Sequence, residues 1–187
     1  MKKTAKKALA LWLSVPLKWW YGLKYGGRVK FGKNVIVNHR FRFVGKGRLK
    51  IGDDCILWAH KEKNEFITYG ADAEIIIGHR NRLNGISVQC KKSVSIGDDC
   101  MVGSCMIMDT DFHSIYFDHR DEPEYVKTWP VNIKNRVWLA GQTAILKGVT
   151  VHDEAVVGFR AVVTKDVPAK TIVAGNPARE VSKIEPA

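Results

Sequence analysis

The sequence has few of the features that mark several large protein classes. The apolar run over residues 8–17 is shorter than the ~20 residues that a helix needs to cross a bilayer. The four cysteines show neither a CxxC motif nor metal-ligand spacing, and no HxxxH pair is present. No Ser or Cys stands in a nucleophile–base motif. We therefore expect no metal site and no covalent nucleophilic catalysis, and we expect the cysteines to be reduced packing residues in a cytoplasmic protein.

The most informative pattern in the chain is an apolar residue at every sixth position. It comprises Ile133, Leu139, Ile145, Val151, Val157 and Val163. A second set of small or aliphatic residues follows four positions after each of the first five, at Val137, Thr143, Val149, Ala155 and Ala161. Neither the 3.6-residue helix period nor the two-residue strand period fits this spacing. The pattern predicts three short flat sides for each coil of a parallel β-helix.

The same spacing continues, with interruptions, through the first half of the chain. It covers Phe31, Val37, Phe43, Ile51, Leu57, Ile77, Leu83, Ile96, Val102 and Met108. Glycines such as Gly52 and Gly97 follow inward positions, where we expect the missing Cβ to ease the turn geometry. A β-sandwich is the alternative, but its turns recur every ~8–12 residues and would not hold a period of six.

Three segments near the C-terminus resemble the hexapeptide-repeat acyltransferases. They are Val137-Trp-Leu-Ala-Gly-Gln, Ile145-Leu-Lys-Gly-Val-Thr-Val and Ile172-Val-Ala-Gly-Asn-Pro-Ala-Arg179. The resemblance is greatest to the branch that O-acetylates maltose, galactosides and polysaccharides. It implies an all-β fold, a left-handed parallel β-helix, assembled as a homotrimer. It also implies that acetyl-CoA lies in a groove between neighbouring coils.

The repeat divides the chain into two predicted parts. Residues 27–187 are expected to form the β-helix, and residues 1–26 a short amphipathic segment that caps it, since an open first coil would expose unpaired backbone groups. The period is lost between Met108 and Ile133, so residues 109–130 are expected to leave the β-helix as one ejected loop. Long loops on a rigid scaffold often carry function.

The N-terminal segment also allows a contact with a membrane. Its lysines and the aromatic run Trp19, Trp20 and Tyr21 would suit the inner leaflet of the cytoplasmic membrane, whereas the simpler reading is a helix packed on the first coil. The net charge of +11 fits phosphate groups of the cofactor or an anionic surface. No recognition-helix, RNA-binding or zinc-finger signature is present, so we expect no nucleic-acid partner.

His113, at the start of the ejected loop, is the candidate general base. Transfer of an acetyl group to a sugar hydroxyl requires removal of the hydroxyl proton, for which an imidazole is suited near neutral pH. The resemblance points to the same residue, since related enzymes carry their catalytic histidine here. His119 is the competing candidate and would otherwise contact the acceptor. Asp109 and Asp111 are expected to orient the imidazole or bind the acceptor, with simple turn formation as the alternative.

The resemblance also implies further binding residues. Asn84 matches an acceptor-contacting asparagine. The basic Lys91 and Lys92 stand where sugar-acetylating relatives have an acidic residue, so the resemblance leads us to expect a different acceptor. On the donor side the implied cofactor-binding residues are Trp138, Ala140, Gly141, Phe159, Arg160, Thr164, Lys165 and Arg179. The expected reaction is direct O-acetylation of a saccharide, with a backbone N–H near Gly141 stabilising the oxyanion. The alternatives are N-acetylation of an amino sugar and a non-catalytic scaffold.

Overall fold

The computed structural model describes residues 2–185, in which helix α1 (Lys2–Lys24) precedes 20 short strands arranged in three sheets. The first sheet contains β1 (Val29–Phe31), β4 (Arg48–Ile51), β7 (Glu74–Ile77), β10 (Ser93–Ile96), β13 (Val131–Ile133) and β16 (Thr150–Val151). The second sheet contains β2 (Ile36–Val37), β5 (Ile56–Leu57), β8 (Arg82–Leu83), β11 (Met101–Val102), β14 (Trp138–Leu139), β17 (Val156–Val157), β19 (Thr171–Ala174) and β20 (Arg179–Lys183). The third sheet contains β3 (Phe41–Gly45), β6 (Asn64–Thr68), β9 (Ser87–Cys90), β12 (Cys105–Met108), β15 (Thr143–Ile145) and β18 (Val162–Val163).

The chain visits the three sheets in turn and so forms a triangular prism of stacked coils. Coil 1 contains β1–β3, and each following set of three strands forms the next coil, up to β16–β18 in coil 6. We call the turn from the first to the second sheet the first corner. The turn into the third sheet is the second corner, and the return to the first sheet is the third corner. This architecture confirms the predicted left-handed β-helix.

The six-residue period corresponds to the interior of the prism. Residues of successive coils stack directly, as in the pairs Leu139–Val157 and Ile145–Val163. All eleven residues of the period between 133 and 163, including Thr143, are buried. The buried aliphatic column confirms the core that the repeat predicts.

In coil 4 the period fails by one residue. Ile107 is fully buried and stacks on Ile145, whereas Met108, which the period places in the core, is only partly buried. The second corner holds Gly103 and Ser104 between β11 and β12, but three residues between β14 and β15. The shorter corner brings the inward residue one position earlier, so the prediction for Met108 was wrong.

Close packing of the coils explains the glycines at the first corner. An ideal Cβ on Gly52 would lie 2.7 Å from the carbonyl carbon of Gly78 in the next coil, and one on Gly97 would lie 2.6 Å from Asn135 Oδ1. Neither glycine has a positive φ, and residues such as Asp54 and Asp99 adopt the left-handed conformation instead, at φ 58° and 59°. The glycines therefore provide clearance between coils rather than the turn geometry that the sequence pattern suggested.

Helix α1 lies across the open side of coil 1. Ser14, fully buried, bonds both the N–H and the carbonyl oxygen of Val37 through its hydroxyl, and the Tyr21 hydroxyl donates to the carbonyl oxygen of Phe41. The Lys18 ammonium donates to the carbonyl oxygen of Val35. These bonds satisfy coil 1 groups that no preceding coil can reach. No helix within residues 2–185 combines the length and the apolar character needed to cross a bilayer.

The opposite end of the prism closes differently. Strand β19 adds to β17 in parallel, and β20 then pairs antiparallel with β19. All five residues of β20 are exposed. All four cysteines are buried and unpaired, as expected, and burial raises the pKa of Cys105 to about 12.

Candidate active site

Two corners of the prism carry the predicted site residues. At the second corner, coils 2–5 form a groove of about 410 Å³. Its lining includes Asn84, Gly103, Trp138, Ala140 and Gly141, so four predicted residues lie together there. A second depression, which shares Asn84, Gly103 and Gly141, continues the groove toward the third sheet.

The backbone at this corner is open to a ligand. The carboxamide oxygen of Asn84 accepts the N–H of His60 at 3.1 Å, which leaves Nδ2 as a donor. The N–H of Ala140 is used between coils, donating to Val157 at 2.9 Å, whereas we find no acceptor within residues 2–185 for the N–H of Gly141. A small residue and a glycine allow a ligand to approach these amides closely.

Phe159 and Arg160 cover the upper end of the groove. An ideal Cβ on Gly141 would lie 3.5 Å from the Phe159 ring, so the ring packs over the glycine of the coil below. The guanidinium of Arg160 donates to Gln142 at 2.6 Å and lies 5.2 Å from the Phe159 ring centroid. Both side chains are exposed, and Arg160 places a positive charge at the end of the groove.

The ejected loop leaves the prism at the third corner, between β12 and β13. The N–H of Trp129 donates to the carbonyl oxygen of Asp109 at 2.9 Å, and the hydroxyl of Thr128 donates to that of Thr110 at 3.0 Å. The Asp111 carboxylate pairs with the Lys147 ammonium of the next coil at 2.6 Å. The two ends of the loop are thus joined to each other, and Lys147 joins the loop base to the next coil.

Asp109 is buried inside this base. Its carboxylate accepts the N–H groups of Lys91, Lys92 and Ser93 at 2.7, 2.7 and 2.8 Å. The side chain is 0% exposed, so no acceptor can reach it. Asp109 is therefore not placed for the predicted contact with the acceptor, because both carboxylate oxygens bind backbone N–H groups at the third corner of the preceding coil.

His113 lies at the exposed part of the loop. Its Nδ1 is 3.0 Å from Oδ1 of Asp121, eight residues downstream. This contact fixes Nδ1 as the bound nitrogen and leaves Nε2 facing away from the carboxylate. Asp121 was not among the predicted residues, which named Asp109 and Asp111 for this role.

His119 has a different environment in the same loop. Its Nδ1 lies 3.0 Å from Oε1 of Glu122, and its ring stacks on Tyr125 with a centroid distance of 4.2 Å. The imidazole is held by stacking on Tyr125 and stays partly exposed, so it is suited to contact a ligand. The ring is also more buried than that of His113.

The three remaining predicted cofactor residues lie on different sides of the prism. Arg179 begins β20 opposite Ala174, at the second-corner end of β19 and so on the side of the groove. Thr164 and Lys165 are exposed at the third corner, on the same side as the ejected loop. The third sheet separates this side from the groove, and four residues of strand such as β9 span ~13 Å. One chain therefore does not bring His113 against Gly141. Within residues 2–185, no cluster of three or more His, Cys, Asp or Glu side chains could hold a metal ion.

No family model matches the chain, but the proteins that are similar to it in sequence or structure include several named acetyltransferases. A Staphylococcus aureus (strain MRSA252) protein named as an acetyltransferase is 41% identical over 73 residues, 39% of this chain and 36% of that protein. The galactoside O-acetyltransferase of Escherichia coli (strain K12) is 29% identical over 120 residues, 64% of this chain and 58% of the enzyme. A solved galactoside acetyltransferase in complex with coenzyme A superposes with a TM-score of 0.62 at 25% identity, covering 83% of this chain and 65% of that one. The chain thus spans less than two thirds of each of these relatives.

Proposed function

We propose that this chain, which belongs to the hexapeptide-repeat acyltransferase superfamily, transfers an acetyl group from acetyl-CoA to a hydroxyl of a sugar or polysaccharide unit. The observation that carries the proposal is the His113–Asp121 pair at 3.0 Å on the ejected loop. A carboxylate on Nδ1 holds the proton there and leaves the Nε2 lone pair as the base.

His113 would take the hydroxyl proton at Nε2 as the oxygen attacks. The Asp121 carboxylate would stabilise the resulting imidazolium, and the same proton would pass to the departing sulfur. Gly141 lines the groove, and its N–H, for which we find no acceptor within residues 2–185, would donate to the oxyanion that develops. Acetyl-CoA, when bound, supplies the acetyl thioester. Its fit to the second corner is supported by the small residues there and by the cation of Arg160.

The two halves of this site would meet between subunits. His113 lies at the third corner and Gly141 at the second corner. The loop of one copy would therefore face the groove of its neighbour. A closed ring of three copies would pair every loop with a groove, which is the reason for proposing a homotrimer. Thr164 and Lys165 would then reach the cofactor phosphates from the loop side, and Arg179 from the second corner.

The acceptor would lie between the loop and the second corner. Asn84 offers its Nδ2 as a donor, and His119 offers a ring stacked on Tyr125. Asp111 is held by Lys147, so we assign it to placing the loop. We assign Asp109 the same role of placing the loop, and it would not contact the acceptor.

The test is release of free thiol from acetyl-CoA with a panel of saccharides. His113→Ala should lower kcat by roughly 10²–10⁴-fold with unchanged acetyl-CoA affinity. Asp121→Asn should lower kcat less and alter its pH profile, and His119→Ala should raise the acceptor KM. His152→Ala, an exposed histidine of coil 6, is the control.

Two outcomes would refute the proposal. One is the absence of thiol release with every hydroxyl acceptor together with no binding of CoA by calorimetry, which favours the scaffold. The other is activity on amino sugars alone, which favours N-acetylation. Equal and mild effects of His113→Ala and His119→Ala would refute the general-base mechanism.

A further inference from the structure

The outer face of α1 is apolar, and its large side chains are exposed among residues 5–185. Ser14 and Tyr21 mark the face that contacts coil 1. The opposite face, at 100° per residue, is formed by Leu9, Trp12, Val15, Trp19 and Leu23. Trp12 is 76% and Trp19 68% exposed. A helix that is apolar on both faces is normally covered on both.

The position of α1 determines where this face points. The carbonyl oxygens of Val35, Val37 and Phe41 accept bonds from α1, and in a parallel β-helix such carbonyls are directed along the prism axis. The helix therefore lies at the end of the prism, and its outer face points away from the coils. A flat surface perpendicular to the axis would meet this face along the length of the helix.

The positive charge of the protein is concentrated at the same end. Residues 1–52 contain 14 Lys and Arg and no Asp or Glu, whereas residues 53–187 contain 16 Lys and Arg and 19 Asp and Glu. The net charge of +11 is thus +14 at the end that contains α1 and coil 1, against −3 in the rest of the chain. Cofactor phosphates near Arg160 do not account for this distribution.

We propose that the outer face of α1 docks this protein on the surface of an anionic lipid bilayer. The aliphatic side chains and the tryptophans would enter the interfacial region, where indole rings are favoured. The exposed Lys6 and Lys24, at the border of this face, would lie at the level of the head groups. Lys18 would not take part, because it bonds to Val35, and burial lowers its pKa.

Charge is the reason for choosing lipid over a second copy of the chain. Two α1 faces packed together would bring two ends of charge +14 into contact, and like charges at such a distance repel. An anionic bilayer instead attracts each basic residue that reaches it. The helix would lie along the bilayer and not cross it.

The experiment is sedimentation of the full-length protein with vesicles in the absence of acetyl-CoA. We expect binding to vesicles of phosphatidylcholine and phosphatidylglycerol, weak binding to phosphatidylcholine alone, and release by high salt. Val15→Asp should lower the partition coefficient by at least ~10-fold. Val181→Asp, the same change at an exposed valine of β20, should leave it unchanged. Lys6→Gln with Lys24→Gln should lower it ~25-fold, at roughly 5-fold per charge, and Lys134→Gln with Lys170→Gln is the matched control.

Urea unfolding midpoints close to that of the wild type check that the α1 variants fold. Absence of wild-type binding to the anionic vesicles, or equal loss in Val15→Asp and Val181→Asp, would overturn the proposal. So would a change of oligomeric mass in Val15→Asp without loss of lipid binding, since a second copy would then cover the face. Failure of acetyl transfer in the wild type would leave the vesicle result standing.

Discussion

Replacement of Asp109 by alanine tests whether this residue stabilises the fold or binds the acceptor. Its carboxylate accepts three backbone N–H groups in a fully buried position. Hydrogen bonds to a charged group are each worth roughly 1.5–3 kcal/mol, although water can replace the acceptor for the donor at the exposed Lys92. We expect Asp109→Ala to lower the free energy of unfolding by about 3 kcal/mol and the Tm by roughly 10 °C.

Urea unfolding and acetyl transfer, measured on the same preparations, decide the question. The matched control is Asp111→Ala, which removes a partly exposed ion pair with Lys147 and should cost about 1 kcal/mol or less. Well below its Tm, the Asp109→Ala protein should keep the acceptor KM of the wild type. An unchanged stability with a raised acceptor KM would refute the structural assignment and restore the role expected from the sequence.

Two further predictions concern the prism itself. Gly52→Ala should destabilise the protein by about 1–3 kcal/mol, because the new Cβ would lie 2.7 Å from the Gly78 carbonyl carbon. Gly22→Ala, whose new Cβ would have nothing within 4 Å, should stabilise α1 by about 0.5–1 kcal/mol. Equal urea midpoints for the two variants would contradict this. Burial raises the pKa of Cys55 from 9.0 to about 11, so its stabilising effect is complete below pH 9 and is lost as the pH rises through 11. Cys55→Ala should therefore flatten the decline of unfolding free energy above pH 9, and an unaltered slope would show that the thiol is not responsible.

The fold was predictable because its core residues repeat locally. Leu139, Ile145 and Val151 each mark one side of a coil, and the spacing alone predicts their stacking. The prediction failed at Met108, since the length of a corner depends on how Gly103 fits against the corner of the next coil. That clearance is a contact between residues far apart in sequence.

The ejected loop was predictable in extent but not in its internal contacts. The loss of period predicts that residues 109–130 leave the prism. Which carboxylate meets His113 depends on how the loop turns back, and nothing periodic in the sequence indicates Asp121. The burial of Asp109 is equally non-local, because its partners belong to the preceding coil. The separation of His113 from Gly141 follows only when the corners are assigned.

The stacking of coils also sets a distance. Neighbouring coils are spaced by ~4.8 Å, so the groove at Gly141, four coils above coil 1, stands ~19 Å from the end of the prism that α1 covers. With α1 on a bilayer, the number of coils would set the height of the active site above the lipid. Acceptors at that height would be acetylated. Insertion of one whole coil between β6 and β7 would raise the active site by a single coil spacing.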